Sequence, residues 1–246
     1  MQREQIAEMY ALEAGHWWFW GKRHLMRRLL AGRLAKPGVR ILDIGCGAGA
    51  NAFELSSYGD VTASDRSLDA LDFVRSRGVK KVVAAEAPNL PFRDGAFDIV
   101  TAYDILEHVE DDAGFLAELG RVLAPGGALA IHVPAWPSLW SRHDEVLEHK
   151  RRYTRRGLRT LIDASCLELE SIGWTNFTIF APTAAIRWTR RLTGNQGDGA
   201  DVGVVPAPVN AALRAVYRVE AALASTTGLP VGVSLAAIAT KRGGRG

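Results

Sequence analysis

The sequence predicts an α/β fold in which helices cover both faces of a mostly parallel sheet. From about residue 37 to residue 136, short apolar runs alternate with helical patterns, and this alternation is typical of parallel sheets. The first apolar run ends in a glycine-rich turn, Gly45-Cys46-Gly47-Ala48-Gly49. Glycines at such a turn let the backbone bend sharply and approach a ligand closely. We therefore expect a ligand at the carboxyl end of the first strand.

Composition limits the protein to a few classes. The chain has 246 residues, of which 48% are hydrophobic and 23% charged, which suits one globular domain with an appendage. Its two cysteines, Cys46 and Cys166, lie in the glycine turn and at a helix-to-strand joint, so neither a disulfide framework nor a zinc site is indicated. No signal peptide or membrane-spanning run is evident. We expect a cytoplasmic protein.

The elements follow in order along four regions. Residues 1–36 are expected to form a helical cap, which ends at Pro37-Gly38. Residues 37–180 form the core, with strands near 39–44, 60–65, 81–86, 97–103, 127–133 and 167–180, helices over 113–123 and 158–165, and an acceptor loop over 134–157. A helical insertion follows over 181–229, with helices near 182–193 and 208–225 and a linker over 194–203. The last strand and a disordered tail occupy 230–246.

The glycine turn fits two kinds of cofactor. A nicotinamide fingerprint is compatible, because Ala50 fills its last position. Two details favour S-adenosylmethionine (SAM) instead: the tighter glycine spacing, and Asp43 at the end of the strand. A carboxylate there repels a pyrophosphate but attracts a cationic methionine group. Asp65 ends the second strand, about 20 residues past the turn, where a carboxylate accepts hydrogen bonds from ribose hydroxyls.

Further motifs continue the series in the same order: Val82 to Phe92, Gly95 to Val100, Leu106-Glu107-His108-Val109 and Leu123 to Gly127. The series resembles the class I SAM-dependent methyltransferases, especially their small-molecule and quinone branch. The resemblance covers about 40–133. It implies a Rossmann-like sheet of seven strands whose last strand is antiparallel, with SAM as cofactor and S-adenosylhomocysteine as product. A Rossmann-type domain for another nucleotide is the alternative.

The resemblance also implies a cofactor site. In this sequence it consists of Asp43, Gly45, Cys46, Gly47, Asp65, Arg66, Glu86, Ala87, Tyr103, Asp104 and His108. Asp43 and the glycines line the methionine part, Asp65 takes the ribose diol, and Glu86 accepts from the adenine amino group. Many relatives carry Asp where this chain has Glu86. The Glu86 side chain is one methylene longer, so its distance to the adenine differs from that in those relatives.

Catalytic candidates come from the acceptor loop. The methyl donor is already activated, so the protein has to align the acceptor and, for a hydroxyl, remove its proton. A histidine suits that task near neutral pH. The predicted catalytic residues are His149, His143 and Tyr153, and a structural role for His149 is the alternative. His143, Asp144 and His149 lack a fourth ligand at convincing spacing, so no metal site is expected.

Aromatic residues indicate the acceptor pocket. Trp17 to Trp20 are consecutive, so a helix cannot present all of them on one face; they form either a lid or ordinary packing. The predicted substrate-binding residues are Trp17, Trp18, Trp136 and Arg152.

The leading functional hypothesis is O- or N-methylation of a small molecule. A nucleic-acid methyltransferase is disfavoured despite the basic run over 150–159, because Tyr103-Asp104-Ile105-Leu106 replaces the Asn/Asp-Pro-Pro-Tyr/Phe block and no catalytic cysteine follows. A non-catalytic SAM-binding scaffold is a further alternative. A natural product, a sugar or a lipid-linked molecule fits as acceptor, and the amphipathic helices over 182–225 allow a lipid-linked or glycosylated acceptor and peripheral membrane contact. Either a monomer or a homodimer fits.

Overall fold

Seven strands form one mixed sheet in the computed structural model, which describes residues 3–193, 203 and 205–242, the side chains of 3–5 excepted. The strands are β1 (Arg40–Ile44), β2 (Asp60–Asp65), β3 (Lys81–Ala84), β4 (Phe97–Tyr103), β5 (Leu123–Pro134), β6 (Leu167–Thr175) and β7 (Ser234–Lys241). Their order is β3-β2-β1-β4-β5-β7-β6. Strands β1 to β5 are parallel, and β7 is antiparallel to both β5 and β6. The predicted fold class is confirmed.

Ten helices are described: α1 (Arg3–Glu13), α2 (Trp17–Leu29), α3 (Ala31–Leu34), α4 (Ala50–Leu55), α5 (Leu68–Ser76), α6 (Asp112–Val122), α7 (Arg142–Val146), α8 (Arg155–Asp163), α9 (Phe180–Thr193) and α10 (Ala207–Thr226). Short 3₁₀ turns cover Leu106–His108 and Pro137–Leu139. Among these helices, none combines the length and the apolar character needed to cross a bilayer. The division into four regions stays a prediction.

Several elements differ from the sequence prediction. The sixth strand ends at Thr175 rather than near residue 180, because Asn176 has a φ of 61° and interrupts the extended backbone. Strand β5 begins earlier than predicted, at Leu123. The acceptor loop over 134–157 contains a 3₁₀ turn and α7. The predicted linker, apart from Gly203, and the tail after Arg242 lie outside the described residues.

Each face of the sheet has its own apolar core. On one face Phe115 and Leu119 of α6 and Leu158 of α8 pack against the strands. On the other, Met26 of α2 and Leu71 of α5 do so. The strand order reverses between β1 and β4, so the chain segments that follow these two strands run to opposite faces of the sheet. A crevice is expected at the carboxyl ends of these two strands.

The amino-terminal cap and the insertion form one layer. Helix α2 packs against α10, where the ring of Tyr217 lies over Gly21. A Cβ on Gly21 would lie 2.5 Å from the Tyr217 ring, so only glycine allows this approach. Beside it, the guanidinium of Arg214 lies 4.4 Å from the ring centre of Trp20, a cation–π contact. The carboxylate of Glu220 accepts hydrogen bonds from the backbone N–H groups of Phe177 and Thr178, which ties α10 to the chain after β6.

Candidate functional site

A cleft of about 1370 Å³ lies at the carboxyl ends of the parallel strands, covered by α1, α2 and part of α9. Single small-molecule pockets typically occupy roughly 300–1,000 Å³, so this cleft has room for a cofactor and a second molecule. Most predicted site residues line it: Trp17, Trp18, Asp43, Gly45, Cys46, Gly47, Asp65, Arg66, Glu86, Ala87, Tyr103, Asp104, His108, His143, His149 and Arg152.

The glycine turn has the conformation that its composition requires. Gly45, Gly47 and Gly49 have φ values of 66°, 53° and 84°, a region that residues with a Cβ rarely adopt. Asp65 braces the turn, because its carboxylate accepts hydrogen bonds from the N–H of Gly47 at 3.0 Å and of Ser67 at 2.9 Å. Each carboxylate oxygen has a further lone pair, so Asp65 can still accept from ligand hydroxyls.

Asp43 lies buried beneath the turn with one oxygen unmatched. Its Oδ1 accepts hydrogen bonds from Thr101 Oγ1 at 2.7 Å and from Asn51 Nδ2 at 2.8 Å. Its Oδ2 has no hydrogen-bond partner among the described residues. Burial raises the pKa of Asp43 to about 6, although Thr101 and Asn51 oppose the rise. Burial of an unmatched carboxylate oxygen is costly, and a cationic ligand group would relieve that cost. Asp43 therefore fits the ammonium of the predicted cofactor.

The adenine-side candidates lie at the rim of the cleft. The Arg66 guanidinium lies 3.9 Å from the Glu86 carboxylate and 3.7 Å from that of Glu148. All three side chains are exposed, so these ion pairs contribute little to stability. The Glu86 carboxylate can therefore give up its ion pair with Arg66 and accept a hydrogen bond from a ligand instead.

Asp104 is fixed between two elements. Its Oδ1 lies 2.6 Å from His132 Nδ1 on β5, and its Oδ2 forms an ion pair with Lys22 of α2. Burial would raise the pKa of Asp104, but Lys22 and His132 outweigh burial and hold the pKa well below its usual range. Asp104 is therefore a carboxylate at neutral pH. Sequence reasoning missed Lys22, since nothing local in α2 marks it as a partner of the cleft.

Three histidines meet at the other end of the cleft. The His149 ring centre lies 4.7 Å from that of His108 and 6.5 Å from that of His143. Burial, and to a smaller extent the neighbouring His149, lowers the pKa of His108 to about 4. His108 is therefore neutral under physiological conditions. His149 Nδ1 lies 3.0 Å from Asp144 Oδ1. The structure thus brings the two predicted catalytic histidines together.

Asp144 is the buried centre of the acceptor loop. It accepts hydrogen bonds from Arg152 Nε at 2.7 Å and from the Ser141 N–H at 2.9 Å. Burial would raise the pKa of Asp144, but His149 and Arg152 lower it well below its usual range. Arg152 also donates to the Ala135 carbonyl at 3.0 Å. Arg152 therefore holds the loop as well as lining the cleft. His149 and Arg152 were both predicted from the segment after the fifth strand, but Asp144 was not predicted as their shared partner.

Two predicted residues lie away from the cleft. The Tyr153 hydroxyl is directed into the core, within 2.9 Å of Asp112 Oδ2 and 3.2 Å of the Leu106 carbonyl. Burial, together with Asp112, raises the pKa of Tyr153 far above its usual range, which makes it a poor proton acceptor or donor. Trp136 Nε1 donates to the Gly232 carbonyl at 2.9 Å, and its ring stacks on Trp174 with centres 4.7 Å apart. Packing occupies both side chains.

The amino-terminal cap closes over the end of the cleft at the glycine turn. Glu13, near the end of α1, accepts from the N–H of Ala50 at 3.3 Å and lies 3.6 Å from the Arg77 guanidinium. Burial raises the pKa of Glu13, opposed by Lys22, Arg77 and Arg23. Trp17 and Trp18 follow at the start of α2 and pack edge to face with ring centres 5.6 Å apart. The cap thus places aromatic side chains above the cleft.

Comparison with known proteins identifies the family. Residues 42–131 match a family described as methyltransferase domain. The chain is 41% identical over 169 residues to a demethylmenaquinone methyltransferase of Mycobacterium sp. (strain KMS), which is 64% of this chain and 73% of the relative. It is 34% identical over 169 residues to norajmaline N-methyltransferase of Rauvolfia serpentina, which is 65% of this chain and 58% of the relative.

A solved structure shares the fold. Geranyl diphosphate C-methyltransferase from Streptomyces coelicolor A3(2), in complex with Mg²⁺, geranyl diphosphate and S-adenosyl-L-homocysteine, superposes with a TM-score of 0.58 at 17% identity. The superposition covers 86% of this chain and 76% of that one. Among the curated relatives, the chain spans only 37%, 42% and 58% of the length of three that it matches.

Proposed function

Because the chain belongs to the class I SAM-dependent methyltransferases, we propose that it transfers a methyl group from SAM to a hydroxyl or amine of a small-molecule acceptor. The observation that carries the proposal is one continuous cleft. At one end it holds Asp43 and Asp65 beside the glycine turn, and at the other it holds His149. Two relatives are named for small-molecule acceptors, demethylmenaquinone and norajmaline, which supports the acceptor class.

The cofactor end divides its work among three carboxylates. Asp43 binds the ammonium through its unmatched Oδ2, Asp65 accepts from the ribose hydroxyls, and Glu86 accepts from the adenine amino group at the rim. Bound SAM supplies a methyl group on a positively charged sulfur, and the electron pair of the broken carbon–sulfur bond returns to that sulfur. Tyr103 and Asp104 lie between this end and the histidines and orient the reacting end of the cofactor.

The acceptor end orients the second substrate. His149 is held through Nδ1 by Asp144, which directs Nε2 away from Asp144. His149 and His143 contact the acceptor, while Arg152 keeps the loop in place. Trp17 and Trp18 cover the cleft and exclude water. Alignment of the acceptor accounts for much of the rate enhancement when the donor is already activated.

A methyl-transfer assay with His149→Ala and a matched control tests this function. His24→Ala is the control, because His24 stacks on Trp20 and does not line the cleft. With radiolabelled SAM and a panel of quinol, phenol and amine acceptors, His149→Ala should lose about 10²–10⁴ in turnover. SAM affinity by calorimetry should stay within about threefold, because the glycine turn, Asp43 and Asp65 lie at the other end. A fall of less than about fivefold would contradict the role of His149. Absence of methyl transfer in wild type would contradict the function.

A membrane-associated acceptor is the finer part of the proposal. Trp188 and Leu192 on α9 are 53% and 88% exposed, with Arg191 beside them. Such a face suits an anionic membrane surface, and peripheral contact through 182–225 would give a cytoplasmic enzyme access to a lipid-linked substrate. Vesicles with anionic lipid should co-float the wild type more than a Trp188→Ser, Leu192→Ser variant. Equal flotation of the two proteins would contradict this contact.

A further inference from the structure

Glu107, His108 and His149 form a cluster that the methyl-transfer reaction does not explain. Glu107 and His108 belong to the 3₁₀ turn after β4, and His149 belongs to the loop after β5. One potential ligand atom from each residue lies within 4.8 Å of the others. His149 Nε2 lies 4.0 Å from Glu107 Oε1. All three line the cleft.

Glu107 is a buried carboxyl group whose side chain is not satisfied by the protein. It is fully buried, and neither of its carboxylate oxygens has a hydrogen-bond partner among the described residues. Its backbone carbonyl, by contrast, accepts from the Lys150 N–H at 2.7 Å. A carboxylate that loses water without gaining donors or a cation is strongly destabilising. Glu107 therefore needs either a proton or a cation.

His149 is oriented as metal-binding histidines usually are. Metal-ligating imidazoles generally donate their second N–H to a carboxylate, which fixes the tautomer and the ring orientation. Asp144 Oδ1 lies 3.0 Å from His149 Nδ1 and is itself held by Arg152. With the proton on Nδ1, the lone pair of Nε2 is available on the side of Glu107. The orientation of His149 by Asp144 is an observation separate from the unmatched carboxyl group of Glu107.

We propose that Glu107, His108 and His149 bind a divalent first-row transition-metal ion at the acceptor end of the cleft. Two imidazoles and one carboxylate suit ions such as Zn²⁺, Co²⁺ or Mn²⁺ better than Mg²⁺, which prefers oxygen ligands. Bonds of about 2.0–2.2 Å require ligand atoms roughly 3–3.5 Å apart, so side-chain movements of about 1 Å close the site. The ion balances the Glu107 charge.

The ion also defines the acceptor, an extension that rests on the proposed function. Three protein ligands leave coordination positions open, as in catalytic metal sites. An acceptor hydroxyl that fills such a position has a lowered pKa and releases its proton to water. The resulting oxygen then forms the bond to the methyl carbon as the carbon–sulfur bond breaks. The expected acceptors are phenols or enols, particularly those with a second oxygen adjacent to the reacting hydroxyl.

Direct metal titration tests the site without relying on turnover. The full-length protein is treated with chelator, exchanged into metal-free buffer and titrated with Zn²⁺ by calorimetry and with Co²⁺ by visible absorption. We expect one ion per chain. Glu107→Gln and His149→Asn should each weaken binding at least about tenfold, and Asp144→Asn about 10–100-fold through loss of orientation. Glu110→Gln and His24→Asn are the matched controls, since Glu110 is exposed and His24 does not line the cleft.

The outcomes separate this proposal from the proposed function. SAM affinity and thermal unfolding are measured on the same preparations, so that a misfolded variant is recognised. If either Glu107→Gln or His149→Asn misfolds, the metal affinity of the other variant tests the site. Wild type that binds SAM but neither metal more tightly than about 100 µM overturns the metal site and leaves the methyltransferase function intact. Equal metal affinity in Glu107→Gln and wild type also overturns it. Failure of wild type to bind SAM counts against the function alone, because the metal titration still decides the site.

Discussion

Asp43→Asn should change the pH dependence of stability in a defined direction. Burial raises the pKa of this carboxyl from 3.8 to about 6. The folded protein therefore binds the Asp43 proton more tightly than the unfolded chain does, and protonation favours folding. The stabilising contribution is complete below pH 3.8 and is lost as the pH rises through about 6. A shift of about two pKa units corresponds to about 3 kcal/mol.

The substitution isolates this contribution because asparagine cannot ionise. The amide oxygen can still accept from Thr101 and Asn51, so the local geometry is retained. Burial also raises the pKa values of Glu13 and Glu107, and both groups destabilise the protein in the same direction as pH increases. The informative quantity is therefore the free energy of unfolding of wild type minus that of Asp43→Asn. We expect this difference to fall by about 3 kcal/mol between about pH 3 and pH 7.

Urea denaturation followed by tryptophan fluorescence measures that difference. The same pH series with SAM tests the proposed contact. A bound ammonium favours the ionised Asp43, so SAM affinity of wild type should rise with pH by up to about 100-fold over this range, and that of Asp43→Asn should not. A flat difference curve would refute the raised pKa of Asp43. Equal SAM affinities in the two proteins at about pH 7 would refute the contact with the ammonium.

The other predictions concern the cofactor and the cap. Asp65→Ala should weaken SAM binding by about 2–4 kcal/mol in calorimetry, since it removes the ribose acceptor and the brace on Gly47; unchanged affinity would remove that assignment. Gly21→Val should lower stability by about 1–3 kcal/mol, because its side chain collides with the Tyr217 ring; an unaltered melting temperature would show that α2 and α10 separate easily. Tyr217→Phe should be neutral or stabilising by up to about 1 kcal/mol, because the buried hydroxyl has no hydrogen-bond partner among the described residues; a clear loss would show that the hydroxyl is satisfied.

The central strands were predictable because their local pattern matches their environment. Strands β1 and β4 are buried on both faces, so they read as continuous apolar runs. Asp43 and Asp65 mark the carboxyl ends of strands, where a polar residue borders the cleft. The end of β6 was not predictable to the same degree, since the left-handed backbone of Asn176 interrupts an otherwise strand-like sequence.

Contacts between distant segments were not predictable. Gly21 looks like a weak point in an amphipathic helix, and only the fold brings it under Tyr217. The same holds for Trp20, whose ring contacts both His24 and Arg214. A consecutive aromatic run indicates burial on several sides of a helix, but it does not identify the partner on each side.

The acceptor loop illustrates a limit of sequence proximity. Arg152 and Tyr153 are neighbours, yet Arg152 lines the cleft while Tyr153 is directed into the core. Tyr153 forms a β-bridge with Ala135, and successive side chains of extended backbone point to opposite sides. The predicted catalytic role of Tyr153 followed from its place in the acceptor loop and ignored that alternation.

The two unmatched carboxyl groups together give the strongest physical argument for a two-ligand cleft. Asp43 Oδ2 and both oxygens of Glu107 are buried without hydrogen-bond partners among the described residues. Asp104, by contrast, is paired with both Lys22 and His132. A sequence selected only for stability would avoid such unmatched buried carboxyl groups, and real proteins keep them where ligands bind. One of these groups lies at the glycine turn and the other beside His149, so the cleft presents a separate demand for positive charge at each end. The proposed cationic cofactor would relieve the first, and the proposed metal ion would relieve the second.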